Sequence, residues 1–239
     1  MADPGLDAAI LAEGNVSCQG GEGTIWVKAS GHGMVGIGPE GFVEVEIEPV
    51  VAALDRSVRD EAAVRELLNI SRVDPTVAAV PSTETFMHAW LLGLADVGFV
   101  AHTHPVSLLS LLVLADGESL ARRRLFPDEI VLCGAASAWV PYVAPGLPLA
   151  IEVRASVLRF QEQFGVLPKT IWLQNHGLIT LGRTPKEAES ATRMAVKAAR
   201  VTLGALQTVK PIRWLSEEEI QQIANWPDEH FRQRMLWNV

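Results

Sequence analysis

His102 and His104 form an H-x-H pair in VGFVAHTHPVS, and His176 stands in IWLQNHGLITLG, where a second apolar, β-type run breaks. Side chains alternate across a strand, so such a pair sends both imidazoles to one side while Thr103 points away. A third imidazole from a distant strand end completes three ligands and leaves a fourth tetrahedral position for water, substrate or an acid group. That layout is the one a Lewis-acid centre needs, and it differs from a sealed structural metal site. Among the other histidines, His32 and His230 have no comparable setting. His88 lies one helical turn beyond Glu84 and is read as a locally satisfied helix histidine, with support of Glu84 as the alternative.

The elements that must position these groups follow from periodicity. TIWVKAS reads as a strand, Gly31 to Gly38 as a glycine-rich turn, and GFVEVEI as a strand with Val and Ile buried against outward Glu. From Pro49 to about Ile70 the period becomes helical, with Val50, Leu54, Val58, Val64, Leu67 and Leu68 forming the apolar stripe. Ser82 or Thr83 is placed to cap a helix through FMHAWLLGLA, and the strand after it delivers His102 and His104. Pro105 starts a further helix. EIVL and AWVPYV are expected as strands, Leu147 to about Phe164 as a helix, and KTIWLQ as the strand that ends at His176. Thr184, Pro185 and Glu187 predict a capping box opening a helix to about Leu206, and Ser216 with Glu219 predicts another. Strands and helices mix without a regular βαβ rhythm. The expected fold class is therefore α/β with a central, mostly antiparallel sheet and helices on its faces.

Composition bounds the partners. The chain has 239 residues, 49 % of them hydrophobic, enough for one domain across 1–239 with a helical tail from about 212. A net charge of −8 and a pI near 5.3 argue against nucleic acid or an anionic membrane surface as partner. The densest cationic run, Arg122 to Arg124, reads as a solvated helix end or a subunit contact. Cys18 and Cys133 suggest neither a disulfide framework nor a zinc ribbon and suit a reducing, cytoplasmic setting. VSLLSLLVLA is too short to span a bilayer, and the N-terminal stretch has no basic region followed by an apolar core.

Four further segments need a joint explanation: EGNVS, KASG, PSTE and NHGL. Singly each is an ordinary turn, strand end or cap. Together they offer glycine-bracketed N–H groups, an Asn amide and small hydroxyls, a set suited to a phosphate dianion without a lysine cradle. The order GN-x-S, SG, PS-x-E, H-x-H and NHG resembles the class II aldolase/adducin family from about Gly14 to Gly204. WVKASG and PSTETFMHAWL are most similar to the aldolase part of rhamnulose-phosphate aldolase/dehydrogenase proteins.

The resemblance implies a three-layer α/β/α domain, a homotetramer, and zinc or another divalent metal ion held by His102, His104 and His176. By the same resemblance Glu84 is the catalytic acid/base, and Gly14, Asn15, Ser30, Gly31, Ser82 and Thr83 bind the substrate phosphate. The reaction implied is cleavage of a ketose 1-phosphate to dihydroxyacetone phosphate and an aldehyde through a metal-stabilised enediolate. Dehydration or 4-epimerisation of a sugar phosphate, or a non-catalytic adducin-like module, are the alternatives. Epimerases of this fold carry Asp where Glu84 stands, and a scaffold has no use for three retained histidines. The chain departs from the pattern at Cys18 and Gln19, where a basic residue is common, and in EIVLCGAAS, which lacks the interface tyrosine of fuculose-phosphate aldolases. Tyr142, the chain's one tyrosine, is expected to serve packing. Thirteen residues precede Gly14, where the family carries a helix, which implies an altered subunit interface.

Overall fold

A computed structural model describes residues 1–55 and 60–226. Its strands are β1 (Asn15–Gln19), β2 (Thr24–Lys28), β3 (Phe42–Glu46), β4 (Phe99–Thr103), β5 (Ala138–Val140), β6 (Thr170–Leu173) and β7 (Gly177–Gly182). They form one sheet in the order β3-β2-β1-β4-β7-β6-β5, antiparallel at every pair except the parallel β5–β6 edge. The helices are α1 (Ile47–Ala52), α2 (Glu61–Ile70), α3 (Thr85–Leu92), α4 (Val106–Leu112), α5 (Gly117–Ala121), α6 (Pro127–Cys133), α7 (Leu147–Phe164), α8 (Pro185–Leu206) and α9 (Glu217–Ala224). Among the described residues no helix is long and apolar enough to cross a membrane.

Strand alternation builds two cores from one sheet. On β6, Ile171 and Leu173 join the core beneath α1, α3 and α7, while Trp172 faces the core formed with α4, α6 and α8. β7 does the same with Ile179 and Leu181 against Leu178. Each fully buried Leu or Ile contributes about 1.5–3 kcal/mol, so a strand apolar on both faces is most stable where helices cover both. β3 follows the expected alternation, with Val43 and Val45 buried. The opposite face of β1 to β3 is left bare by α4 and α8: Trp26 is 41 % exposed there and lines an apolar depression with Val16, Cys18 and Phe42.

Several elements differ from the sequence expectation, each for a local reason. The helix expected from Pro49 to Ile70 is interrupted: α1 ends at Ala52, and α2 restarts behind Asp60, whose carboxylate accepts from Ala62 N–H at 3.3 Å. Val58 lies outside the described residues. EIVL belongs to α6 and not to a strand. Extended Phe126, Pro127 at the first helical position and Asp128 with Glu129 in the first turn are helix-start signals that outweigh β propensity. α3 begins at Thr85, because Ser82 turns the chain first: its carbonyl accepts from Thr85 N–H and its hydroxyl from Glu84 N–H. β1 occupies NVSCQ and takes in Asn15, which the sequence marks with Gly14 as a turn. In the Arg122–Arg124 run, Arg124 is 1 % exposed and donates to the carbonyls of Ala121, Arg123 and Gly134, so it ties the end of α5 to the end of α6 and is not a solvated cation.

The long helices lie where capping placed them. Thr184 Oγ1 accepts from Glu187 N–H at 3.2 Å, although Glu187 turns back to Arg183 N–H and not to the cap residue, so that box is half formed. Ser216 and Glu219 form the complete reciprocal pair. Thr184→Ala is expected to cost about 1 kcal/mol, read as a lower urea midpoint with unchanged slope; an unchanged midpoint would show that tertiary packing alone fixes the start of α8.

Candidate active site

β4 and β7 pair with His102 opposite Ile179 and Thr103 opposite Leu178. That register puts His102, fully buried, beside the Leu178 carbonyl, which takes a hydrogen bond from its Nδ1 at 3.1 Å. Nδ1 therefore holds the ring proton and Nε2 presents a lone pair. His104 follows the strand end and is fixed from outside the sheet, its backbone N–H donating to the Ala8 carbonyl at 2.7 Å. His176 lies in the turn between β6 and β7, after left-handed Asn175 (φ 54°) and before Gly177. The three rings stand 4.7, 5.0 and 5.2 Å apart by centroid, and their ligand atoms all fall within 4.8 Å of one another. The expected trio thus converges on one point, His102 and His104 from the end of β4 and His176 from the β6–β7 turn.

Glu84, the N-cap residue of α3, brings a carboxylate to the same point. Its Oε1 is 3.3 Å from His176 Nε2 and 3.6 Å from His102 Nε2, and its Oε2 accepts from Asn15 Nδ2 at 2.6 Å. Burial works to raise this carboxyl, but its electrostatic interaction with the neighbouring His102 and His176 rings and the hydrogen bonds from His176 and Asn15 hold it below the usual range. Burial meanwhile pushes His102 and His104 down to about 4 against the pull of Glu84. At neutral pH these two rings carry no charge, and His102 Nε2 and His104 Nε2 lie 2.9 Å apart. The bare Nε2 of His102, the ring nitrogens of His104 and His176 and the Glu84 carboxylate converge as a donor set that a divalent cation satisfies. The residues present fit such an ion, and three imidazoles suit zinc while also accepting other divalent metals.

Two glycines make this approach possible. A Cβ on Gly177 would sit 2.6 Å from the Thr103 carbonyl and 2.8 Å from the His104 ring, and one on Gly14 (φ +66°) would sit 2.6 Å from the His102 carbonyl. Gly177→Ala is expected to push the His104 ring off the common point and lower zinc affinity about 10–100-fold, the range found when a ligand's support is disturbed. Competition against a chromophoric chelator measures it; wild-type affinity would mean the strands yield without moving the ring.

Beside Glu84 two loops meet. Ala29 forms an antiparallel bridge with Pro81, and Ser30 N–H donates to the Val80 carbonyl at 2.9 Å, so the loop that carries Ser30 and Gly31 is tied to the segment that leads into Ser82 and Thr83. Ser30, Gly31 and Thr83 are exposed, and Gly31 (φ +79°) has open space where a side chain would be. Gly14 and Asn15 are buried, and the Asn15 amide is already bonded to Glu84 and His88. Lys28 heads the KASG segment, where the sequence assigns it no role. It is 3 % exposed and donates to the carbonyls of Ala12, Ala29 and His32, lashing the loop before Gly14 to the loop after Ser30. A lysine in an apolar strand, just before the glycine-rich turn from Gly31, was the available signal. Gln19, at the position where a basic residue is common, caps the far side by donating to the carbonyls of Leu92 and Val97. Tyr142 does not pack: it is 61 % exposed.

A three-imidazole, one-carboxylate centre at the strand ends of a mostly antiparallel α/β/α sheet defines the class, and the sequence comparison agrees. Residues 1–203 match the Class II Aldolase and Adducin N-terminal domain, and the chain belongs to that family. No curated protein matches it in sequence. Solved structures share its fold. The N-terminal class II aldolase domain of a conserved protein from Thermoplasma acidophilum is 29 % identical with a TM-score of 0.64, over 84 % of this chain and 87 % of that one. An L-fuculose 1-phosphate aldolase superposes with a TM-score of 0.66 at 17 % identity, over 93 % and 87 %. YgbL from Escherichia coli, whose assignment spans aldolase, epimerase and decarboxylase, gives 0.66 at 18 %, over 92 % and 90 %.

Proposed function

We propose that the protein is a metal-dependent aldolase that cleaves a ketose 1-phosphate into dihydroxyacetone phosphate and an aldehyde. The observation that carries this reading is Glu84 Oε1, placed 3.3 Å from His176 Nε2 and 3.6 Å from His102 Nε2, where a carboxylate can reach a sugar held at the point the imidazoles share. A divalent ion there, zinc by preference, would supply a Lewis acid that polarises the substrate carbonyl, a contribution of several kcal/mol. His102, His104 and His176 would hold it.

The chain's own groups then have distinct tasks. Breaking the bond between carbons 3 and 4 of the sugar releases the proton of the C4 hydroxyl to solvent water, turns that carbon into the aldehyde, and leaves the bonding electron pair at C3. Glu84 moves the proton at C3. As a carboxylate it removes that proton in the synthetic direction, and in its protonated form it returns it in cleavage, a general acid/base contribution of about 10²–10⁴. Ser30, Gly31, Ser82 and Thr83 take the phosphate in the cleft between the two loops, with Gly14 and Asn15 forming its inner wall. Lys28 holds the loops at a fixed separation and places positive charge beneath them. Dehydration of a sugar phosphate is the second reading, because it begins from the same bound ketose and Glu84 serves it equally. A homotetramer, implied by the family, completes the proposal; light scattering in solution tests it.

The deciding experiment is release of dihydroxyacetone phosphate from a panel of ketose 1-phosphates by zinc-loaded protein, followed through a coupled dehydrogenase. Release from one sugar, abolished by a chelator, supports the aldolase. Loss of water with the carbon skeleton intact would move the assignment to a dehydratase.

A further inference from the structure

Behind Glu84 a line of hydrogen bonds runs into the core, away from the three imidazoles. Asn15 Nδ2 donates to Glu84 Oε2 at 2.6 Å, Asn15 Oδ1 meets His88 Nε2, and His88 Nδ1 meets Ser17 Oγ at 2.6 Å. Asn15, Ser17 and His88 are 4 %, 2 % and 0 % exposed, so no solvent competes for these groups. Two repeats make the line possible. Asn15 and Ser17 are alternate residues of β1, on one face and about 6.8 Å apart. Glu84 and His88 are four apart at the start of α3, on one face and about 6 Å apart. The two spacings nearly agree, so helix and strand meet at two successive levels.

The donors in this line have one consistent direction. A carboxylate only accepts, so Asn15 must turn its NH₂ toward Glu84 and its oxygen toward His88. That oxygen only accepts, so His88 Nε2 must carry the ring proton. Burial pushes His88 down to about 4, the ring is neutral, and its bare Nδ1 accepts from the Ser17 hydroxyl. Every hydrogen in the line therefore points toward Glu84.

We propose that His88, backed by Ser17, is a positioning residue: it locks the Asn15 amide in the one orientation that donates to Glu84, and so aims Oε1 at the substrate position. An unsupported amide can flip, which would set its oxygen against the carboxylate and turn Glu84 away. The hydrogen bonds of the His88 ring go to Asn15 and Ser17 and to none of the three imidazoles, so its effect falls on Glu84 and not on metal capture. The proposal rests on the reading of Glu84 as the acid/base.

The test has two arms. In the full-length protein labelled with ¹⁵N-histidine, a long-range ¹H–¹⁵N spectrum is expected to show one ring protonated at Nε2 and bare at Nδ1. His88→Gln removes that signal, and Ser17→Ala shifts its Nδ1 alone. A ring at this position protonated at Nδ1 would overturn the proposal whatever the enzyme does. In the second arm, His88→Gln sets an amide N–H where Nε2 stood, while His88→Leu keeps bulk without a donor. His88→Leu is expected to lower kcat at least about 30-fold with KM within about threefold and zinc content unchanged, and His88→Gln to recover most of the loss. Equal kcat in the two variants, or zinc lost in proportion to activity, would overturn it. If Glu84→Gln retains full turnover, the acid/base reading fails while the ring's tautomer is still decided by the spectrum.

Discussion

Replacing His176 with alanine is expected to leave a folded protein that no longer holds zinc through dialysis. The ring is 13 % exposed on a turn, whereas His102 is fully buried in β4, so His176 can be removed with little cavity cost and the metal effect read cleanly. Two imidazoles and a carboxylate remain, a set that binds divalent ions but without closing the tetrahedron. The loss should exceed the roughly 10–100-fold that follows when only a group behind a ligand is disturbed. Zinc per chain by elemental analysis, with far-UV circular dichroism as the control for folding, measures it. Full zinc retention would remove His176 from the ligand set. The pH dependence of the unmodified protein has a definite sign. His102 and His104 have pKa values lowered to about 4, so both rings are free to bind metal at neutral pH and protons displace it only as the pH falls toward 4. Zinc is expected to stay bound at pH 6 and to leave near pH 4.

Glu84→Gln should do the reverse, keeping zinc and losing turnover by about 10²–10⁴. The replacement is close to isosteric, and its amide oxygen can still accept from Asn15 Nδ2, so the geometry of β1 and α3 survives while the proton carrier does not. The contrast with His176→Ala separates holding the metal from moving the proton. Steady-state kcat with zinc content measured on the same sample decides it. Undiminished turnover with zinc bound would end the assignment of Glu84, and product analysis on the wild type would then begin from dehydration.

Much of this centre could be read from one dimension because its logic is local. A two-residue period on β4 dictates that His102 and His104 share a side, and NHG after an apolar run marks the turn at His176. The capping residues Thr184 and Ser216 place α8 and α9 for the same reason. What escaped the sequence depends on neighbours distant along the chain. Asn15 read as part of a turn and His88 as a helix histidine, because their contact exists only once β1 lies beneath α3. Lys28 looked like one strand residue among several until the loops on either side of it closed. EIVL misled in the other direction: four residues of β-type composition, outweighed by Pro127 and two acids in the first turn of a helix. Tyr142, expected to serve packing, is exposed in this chain.

The register between β4 and β7 has a further consequence, for quality control of the chain itself. His102 reaches the common point only because it pairs with Ile179, and its ring is oriented only because Thr103 pairs with Leu178. A slip of one residue would carry His102 to the opposite face of the sheet, yet β7 carries buried apolar residues on both faces, with Thr180 its one polar side chain, and would bury them almost as well. Hydrophobic burial alone discriminates poorly between these two pairings. Metal capture discriminates completely, since a misaligned sheet has no point at which three imidazoles meet. Zinc supplied during refolding should therefore raise the yield of correctly paired protein, acting as a proofreader of strand alignment.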